Sequence, residues 1–302
     1  MVPILFGELF TAVLYDGLLI DPGSPRMRRS LARHLRGLTN VAAVVATHHH
    51  EEHVGNLNWA SQKLSAPLYL SGATAALLKS PWKLPFVRAT IIGQPDPLLP
   101  PYEILSDRIA AAHGDLEVLA TPGHCDDHIV LYDRRERILI AGDAFMGSYF
   151  ATPNPDVDSL QWIATLERLL NLEIDVLVEG HGHVHTLRSD FPDVPGVVIR
   201  EDPRAALEKK LVYLRWLREQ IESGRREGLT PAAVEATCFP WGTGRAWESF
   251  SKNELIRFLS LGHFSRSELV RSFVRTPSQG EIRPTVFQAR IYQRPGDTSK
   301  QL

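Results

Sequence analysis

Thr47-His48-His49-His50-Glu51-Glu52-His53-Val54-Gly55-Asn56 packs four histidines and two carboxylates into six residues, directly after the apolar run Val41 to Ala46. A short Val/Ala run of this kind reads as a buried strand. The polar cluster therefore stands where a strand ends and a helix begins, a usual place for sites in α/β sheets. Imidazole and carboxylate together suit zinc or another divalent first-row metal. Taken alone, the stretch also fits a solvated turn that happens to be rich in histidine.

On its N-terminal side, Leu9 to Leu14 and Leu18 to Ile20 read as two strands joined through Asp16-Gly17, a strong hairpin signal. The second strand runs into Asp21-Pro22-Gly23-Ser24-Pro25, where Ser24 can cap a helix with Pro25 at its first position, ending at Gly37. On the C-terminal side a helix is expected around Asn58 to Leu64, then a strand over Pro67 to Leu70 and a helix over Ala73 to Lys79. Residues 81–101 carry six prolines around Trp82 and Phe86, which predicts no regular element there, only a substrate-covering loop or a surface excursion.

Strand character returns at Leu116 to Ala120, Ile129 to Tyr132 and Ile138 to Ala141. The turns between them hold Thr121-Pro-Gly-His124-Cys-Asp-Asp-His128 and Gly142-Asp143. A helix capped by Asp158 follows, then the strand Ile174 to Val178, which ends in Glu179-Gly-His181-Gly-His183-Val-His185. Polar clusters thus follow strand ends repeatedly. Past Asp190 the pattern turns helical: Leu207, Leu211, Leu214, Leu217 and Ile221 recur at helical spacing, and Thr230-Pro231 opens another helix. Ser251-x-x-Glu254 and Ser265-x-x-Glu268 are capping boxes, and Thr285 to Tyr292 reads as a strand in a polar tail.

Composition narrows the class. With 302 residues, 44% hydrophobic and 23% charged, the chain has globular composition and room for one large domain plus an appendage. No run approaches ~18 uninterrupted apolar residues, and the start lacks the basic and apolar segments of a signal peptide. Two cysteines, Cys125 and Cys238, make no disulfide framework, which fits a reducing cytosol. The net charge of −2 argues against a surface that grips nucleic acid throughout. It divides unevenly: residues 1–200 carry −7 and residues 201–302 carry +5. The basic part fits an anionic substrate or a plain solvated surface.

Asp21 after a strand, His48-x-His50-x-Glu52-His53, His124 in Thr-Pro-Gly-His, Asp143 in Gly-Asp and His181 in Gly-His-Gly, in that order, resemble the five motifs of the metallo-β-lactamase superfamily. The resemblance covers about residues 5–190. It implies an α/β fold of the αββα sandwich type over residues 1–200, with residues 201–302 as a mainly helical extension, a winged helix being one form of it. It also implies a binuclear centre of two divalent ions, zinc first, with iron or manganese as alternatives. His48, His50 and His124 would bind one ion; Glu52, His53 and His181 the other; Asp143 would bridge them. Asp21 resembles the carboxylate that orients the ligands from behind. Glu52, Asp143 and Asp21 are the catalytic candidates, serving a hydroxide that attacks an ester or thioester carbonyl.

One residue departs from the pattern. The family usually has aspartate where this chain has Glu52, whose extra methylene lets the carboxylate reach further and holds it less rigidly, so a weaker second metal site is expected. Of the other polar candidates, His49 should point away from the ions to solvent or to a supporting position, and His128 should pack at a strand start. His183 and His185 fit either the pocket or the surface; Cys125 a soft ligand or a small core residue; Tyr149 and Phe150 the pocket wall or the core. Substrates open under the resemblance are a thioester or ester, as in glyoxalase-II-like hydrolases, a lactone, or a phosphodiester including RNA. A mononuclear-iron oxygenase is the non-hydrolytic alternative. No membrane partner is expected, and a homodimer is allowed.

Overall fold

Leu18, Leu19 and Ile20 show how the layers arise. The first and third lie in a core between two sheets, the second in a core between a sheet and helices. Such alternation gives each strand two apolar faces, each of which needs cover. The computed structural model describes residues 4–6, 10–38, 40–79, 83–84, 86–146, 156–238 and 266–273. The first sheet runs in the order β1 (Ile4–Phe6), β2 (Phe10–Tyr15), β3 (Leu18–Ile20), β4 (Ala43–Val45), β5 (Leu68–Leu70), β6 (Glu103–Ile104). The second runs β13 (Val198–Ile199), β12 (Val184–Thr186), β11 (Val176–Glu179), β10 (Ile138–Gly142), β9 (Ile129–Asp133), β8 (Gly114–Ala120), β7 (Arg108–Ala111).

Three cores follow. Val13, Leu18, Ile20 and Val45 of the first sheet meet Leu116, Leu131, Ile140 and Val178 of the second. The helices α1 (Arg28–His34), α3 (Leu57–Leu64) and α4 (Gly72–Lys79) cover the first sheet's outer face over Leu19, Val44 and Leu68. On the second sheet's outer face lie α6 (Ser159–Leu169), α7 (Pro203–Arg226), α8 (Pro231–Cys238) and α9 (Arg266–Ser272), packed over Val130, Leu139 and Leu177. This is the αββα sandwich. Short α2 (Glu51–Val54) begins at the histidine cluster. The apolar stripe Leu207, Leu211, Leu214, Leu217 and Ile221 of α7 is buried in the same core as α6.

Local chemistry sets the boundaries as expected in most places. The β2–β3 hairpin turns at Asp16 and Gly17, both with positive φ. Ser24 caps a single 3-10 turn, Pro25–Met27, that leads into α1, and Asp158 caps α6 by accepting from the amides of Leu160 and Gln161. One expectation fails. Residues 81–101 contain a helix, α5 (Phe86–Ile91), because Phe86-Val-Arg-Ala-Thr-Ile is itself free of proline and can keep its helical hydrogen bonds. The stretch after it is tied down: the Ser24 hydroxyl donates to the Ile92 carbonyl, and Asn58 bonds the backbone of Pro97 and Leu99. Tyr149, Phe150, the capping serines Ser251 and Ser265 and the strand expected over Thr285 to Tyr292 lie outside the described residues. No helix among the described residues is long and apolar enough to cross a membrane.

Candidate metal centre

Asp21 leaves β3 with φ +50, a left-handed conformation that a non-glycine residue adopts at a cost. What that backbone does is aim the carboxylate across to the end of β4. Its Oδ1 accepts from the Thr47 amide at 2.8 Å, and its Oδ2 accepts from the Thr47 hydroxyl at 2.7 Å and from His53 Nδ1 at 3.0 Å. Because the Thr47 hydroxyl donates to Asp21, it accepts from His48 Nδ1, 2.9 Å away. One carboxylate thereby fixes the protons of two imidazoles on their outer nitrogens and turns both Nε2 lone pairs inward.

The inward atoms converge. Donor atoms of His48, His50, His124 and Asp143 all lie within 4.8 Å of one another, as do those of Glu52, His53 and His181. His124 Nε2 is 3.0 Å from His50 Nδ1. Asp143 faces three imidazoles, His181 at 3.1 Å, His53 at 3.3 Å and His124 at 3.3 Å. The sheet topology explains the assembly. Four strand ends, those of β3, β4, β10 and β11, each deliver part of the set, and the loop between β8 and β9 delivers His124.

Electrostatics divides the histidines. Burial, reinforced by neighbouring imidazoles, pushes His48 well below its ordinary value, and burial does the same to His124. Burial opposes charge on His53 too, yet the Asp143 and Asp21 carboxylates outweigh it and raise that group. His181 is likewise raised, against burial, by Asp143. Burial works against ionised Asp143, and the facing His181, His53 and His124 overcome it and hold the carboxyl well below the usual range. The groups fit a cation. His48 Nε2 is fully buried with no hydrogen-bond partner, and His53 Nε2 and Asp143 Oδ1 face each other at 3.3 Å outside hydrogen-bond geometry. A buried acceptor left unmade costs about 1–3 kcal/mol. The nitrogens of three clustered imidazoles beside a carboxylate are the donor set a divalent first-row ion takes.

All seven residues expected as ligands, and Asp21 behind them, are therefore brought together. His49 is not in solvent: it is 6% exposed, with Nδ1 2.8 Å from Asp127 Oδ1 and Nε2 3.7 Å from Asp156 Oδ2. The two carboxylates draw it in because an exposed ring would leave both buried without a cation. Cys125 is a buried thiol pushed well up by burial and by Asp127. His183 pairs with Glu179 at the surface, whereas His185 is buried edge-on to Phe145. His128 does more than pack at a strand start. Its Nε2 accepts from the amides of Asp143 and Ala144 at 3.0 and 3.2 Å while Nδ1 donates to Thr121 Oγ1 at 2.8 Å, and burial holds it neutral, down to about 4.

Two side chains of the helical layer that touch the site had no sequence signal. Trp162 of α6 donates to the Ala144 carbonyl at 2.6 Å and stands edge-on to His124, 5.7 Å between ring centres. Lys210 of α7 is buried over the Trp162 ring, 5.3 Å from its centre, with Nζ 3.3 Å from the Met146 carbonyl. Burial pushes its ammonium from 10.5 down to about 7, against the pull of Glu179 and Asp143. Between those values the unfolded chain binds more protons than the folded one. Stability of the metal-free protein therefore gains a contribution as pH rises from about 7 to about 10.5. Urea denaturation at pH 7 and pH 9.5 is expected to show that gain, up to a few kcal/mol, in the wild type and not in Lys210→Met. Equal pH slopes in the two proteins would show that the buried amine does not cost what its surroundings imply.

Residues 14–181 match the model of a family described as the metallo-beta-lactamase superfamily. A hydroxyacylglutathione hydrolase of Thiobacillus denitrificans is 31% identical over 130 residues, 42% of this chain and 41% of the relative. Among solved structures, TTHA1623 in a di-iron-bound form superposes with a TM-score of 0.51 at 29% identity, covering 62% of this chain and 95% of that one. A metallo-beta-lactamase family protein from Thermus thermophilus, TTHA1429, gives a TM-score of 0.58 at 22% identity over 85% of this chain and 91% of its own, which shows the shared fold.

Proposed function

The chain belongs to the metallo-beta-lactamase superfamily, and from that premise we propose that it is a binuclear metal-dependent hydrolase of small thioester or ester substrates. The observation that supports this most is the convergence of seven donors, with the buried His48 Nε2 lacking any hydrogen-bond partner. His48, His50 and His124 would hold one ion and Glu52, His53 and His181 the other, with Asp143 between them. Ions held there supply a water acidic enough to ionise near pH 7 and positive charge against the oxyanion that develops at the carbonyl. The chain's own work is orientation. Asp21 keeps the protons of His48 and His53 on their outer nitrogens, His128 and Trp162 pin the backbone at Asp143 and Ala144, and the sheet ends fix the distances.

The thioester reading is supported by the hydroxyacylglutathione hydrolase likeness, which spans 41% of that relative. Zinc suits the nitrogen-rich donor set, and the di-iron neighbour makes iron the second candidate. The test is metal analysis of the purified full chain, followed by a screen of thioester, lactone, phosphodiester and RNA substrates with and without chelator. Chelator-sensitive thioester or ester hydrolysis is expected. Turnover confined to phosphodiesters or RNA, or oxygen consumption with one iron per chain, would overturn this reading.

Glu52 gives a sharper expectation. Its carboxylate does reach the donors of His53 and His181, so the second set is complete in composition. The longer side chain is held less rigidly than aspartate, so the second ion should be bound more weakly than the first. Glu52→Asp is expected to raise occupancy of the second ion in metal titrations at fixed chelator. Two tightly held ions in both proteins would sink the idea.

A further inference from the structure

His49 sits between two residues of the ligand run, yet its ring serves a different purpose. Its Nδ1 meets Asp127 Oδ1 at 2.8 Å, and the other oxygen of Asp127 accepts from the Thr74 hydroxyl of α4 at 2.8 Å. Its Nε2 lies 3.7 Å from Asp156 Oδ2, the same oxygen that faces His50 Nε2 at 3.3 Å. A continuous polar chain thus runs Thr74, Asp127, His49, Asp156, His50. Every member is buried or nearly so, the side chains of His49, Asp127 and Asp156 being 8%, 1% and 6% exposed.

We propose that Asp156 is a positioning residue for His50, with the His49 ring packed between Asp156 and Asp127. The inference rests on the metal-centre reading above and adds residues outside its ligand set. The reason is tautomeric. His50 reaches the centre through Nδ1, which faces His124 Nε2 at 3.0 Å. An imidazole presents a lone pair on Nδ1 only when its proton sits on Nε2, and Asp156 accepts that proton's hydrogen bond. His48 uses the opposite nitrogen, so one carboxylate cannot orient both; Asp21 serves His48 through Thr47, and Asp156 serves His50.

A carboxylate buried this deeply needs polar partners around it to hold one orientation. His49 spans two buried carboxylates, with Nδ1 on Asp127 and Nε2 toward Asp156, so its ring limits where the Asp156 side chain can turn. The middle histidine of His48-His49-His50 is thereby an anchor for the ligand beside it.

The experiment is zinc affinity by competition with a chromophoric chelator, on the full chain, in a double-mutant cycle of Asp156→Ala and His50→Ala. Asp156→Ala is expected to lower affinity about 10–100-fold in the wild-type background. In the His50→Ala background the same change should move affinity by no more than about twofold, because the group it orients is gone. Melting of the metal-free proteins checks that each variant folds. Should the alanine variant not fold, Asp156→Asn keeps the shape and one acceptor oxygen, and its smaller loss should again require His50. Equal losses in both backgrounds, or no loss with His50 present, would overturn the inference. A wild-type chain that takes up no zinc or iron would overturn the metal-centre reading and this inference with it.

Discussion

Asp143→Asn is expected to remove metal uptake and hydrolysis together, the rate falling by ~10³-fold or more. The substitution keeps the shape and withdraws the charge. Asp143 is buried with its amide held by His128, and its carboxylate oxygens face His53, His124 and His181 at 3.1–3.3 Å. An asparagine in that position offers an N–H₂ donor to imidazole nitrogens and cannot serve as an anionic bridge. The backbone contacts with His128 do not depend on the charge, so the fold should survive and circular dichroism should match the wild type. Metals per chain and turnover, measured beside His124→Ala, decide the matter. Wild-type hydrolysis in either variant would mean that the chemistry happens elsewhere.

That such a prediction can be made from the motif residues reflects what chain order encodes. Asp21, the His48–His53 run, His124, Asp143 and His181 each follow a short apolar run, and a strand end is a fixed point once the sheet forms. The sequence places each one correctly at the edge of the sandwich. What it hides is everything that depends on two distant segments meeting. Asp156 and Asp127 reach His49 across 107 and 78 positions, and Trp162 lies 18 residues past the carbonyl it holds. No spacing rule carries those contacts. His49 was expected at solvent or in support because alternate residues of an extended run face opposite ways. Its ring is buried, and Asp127 and Asp156 exclude the solvent from it. Secondary structure shows the same limit. β7, Arg108–Ala111, has a mixed exposure pattern and among the described residues pairs with β8 alone, and α5 is six residues long inside a proline-rich stretch.

The helical layer changes how the centre is understood. α6 and α7 do not line it with ligands; they hold the backbone after Asp143 through Trp162 and Lys210. Substitutions in the helical extension can therefore alter metal binding without touching a donor.

Gly180→Ala should disable the centre while leaving its eight candidate residues unsubstituted. A methyl at residue 180 would sit 2.0 Å from Asp143 Oδ1 and 2.9 Å from the carbonyl carbon of Gly142. Neither gap accommodates a carbon. The Gly180 amide donates to the Gly142 carbonyl at 2.8 Å, clamping the end of β11 to the end of β10 where their pairing shifts register. The strands must part or the carboxylate must swing away. Separating them sacrifices that hydrogen bond and the neighbouring core, so the side chain moves first. A misplacement of about 1 Å costs ~10²-fold in rate, and metal affinity should fall with it because Asp143 faces both donor groups. Overpacking of this kind also costs about 1–3 kcal/mol, read as a lower melting temperature of the metal-free protein. Gly72→Ala is the matched control: its methyl would meet nothing closer than 3.8 Å and should bind metal as the wild type does. If Gly180→Ala binds metal as tightly as that control, the approach of the two strand ends does not set the position of Asp143.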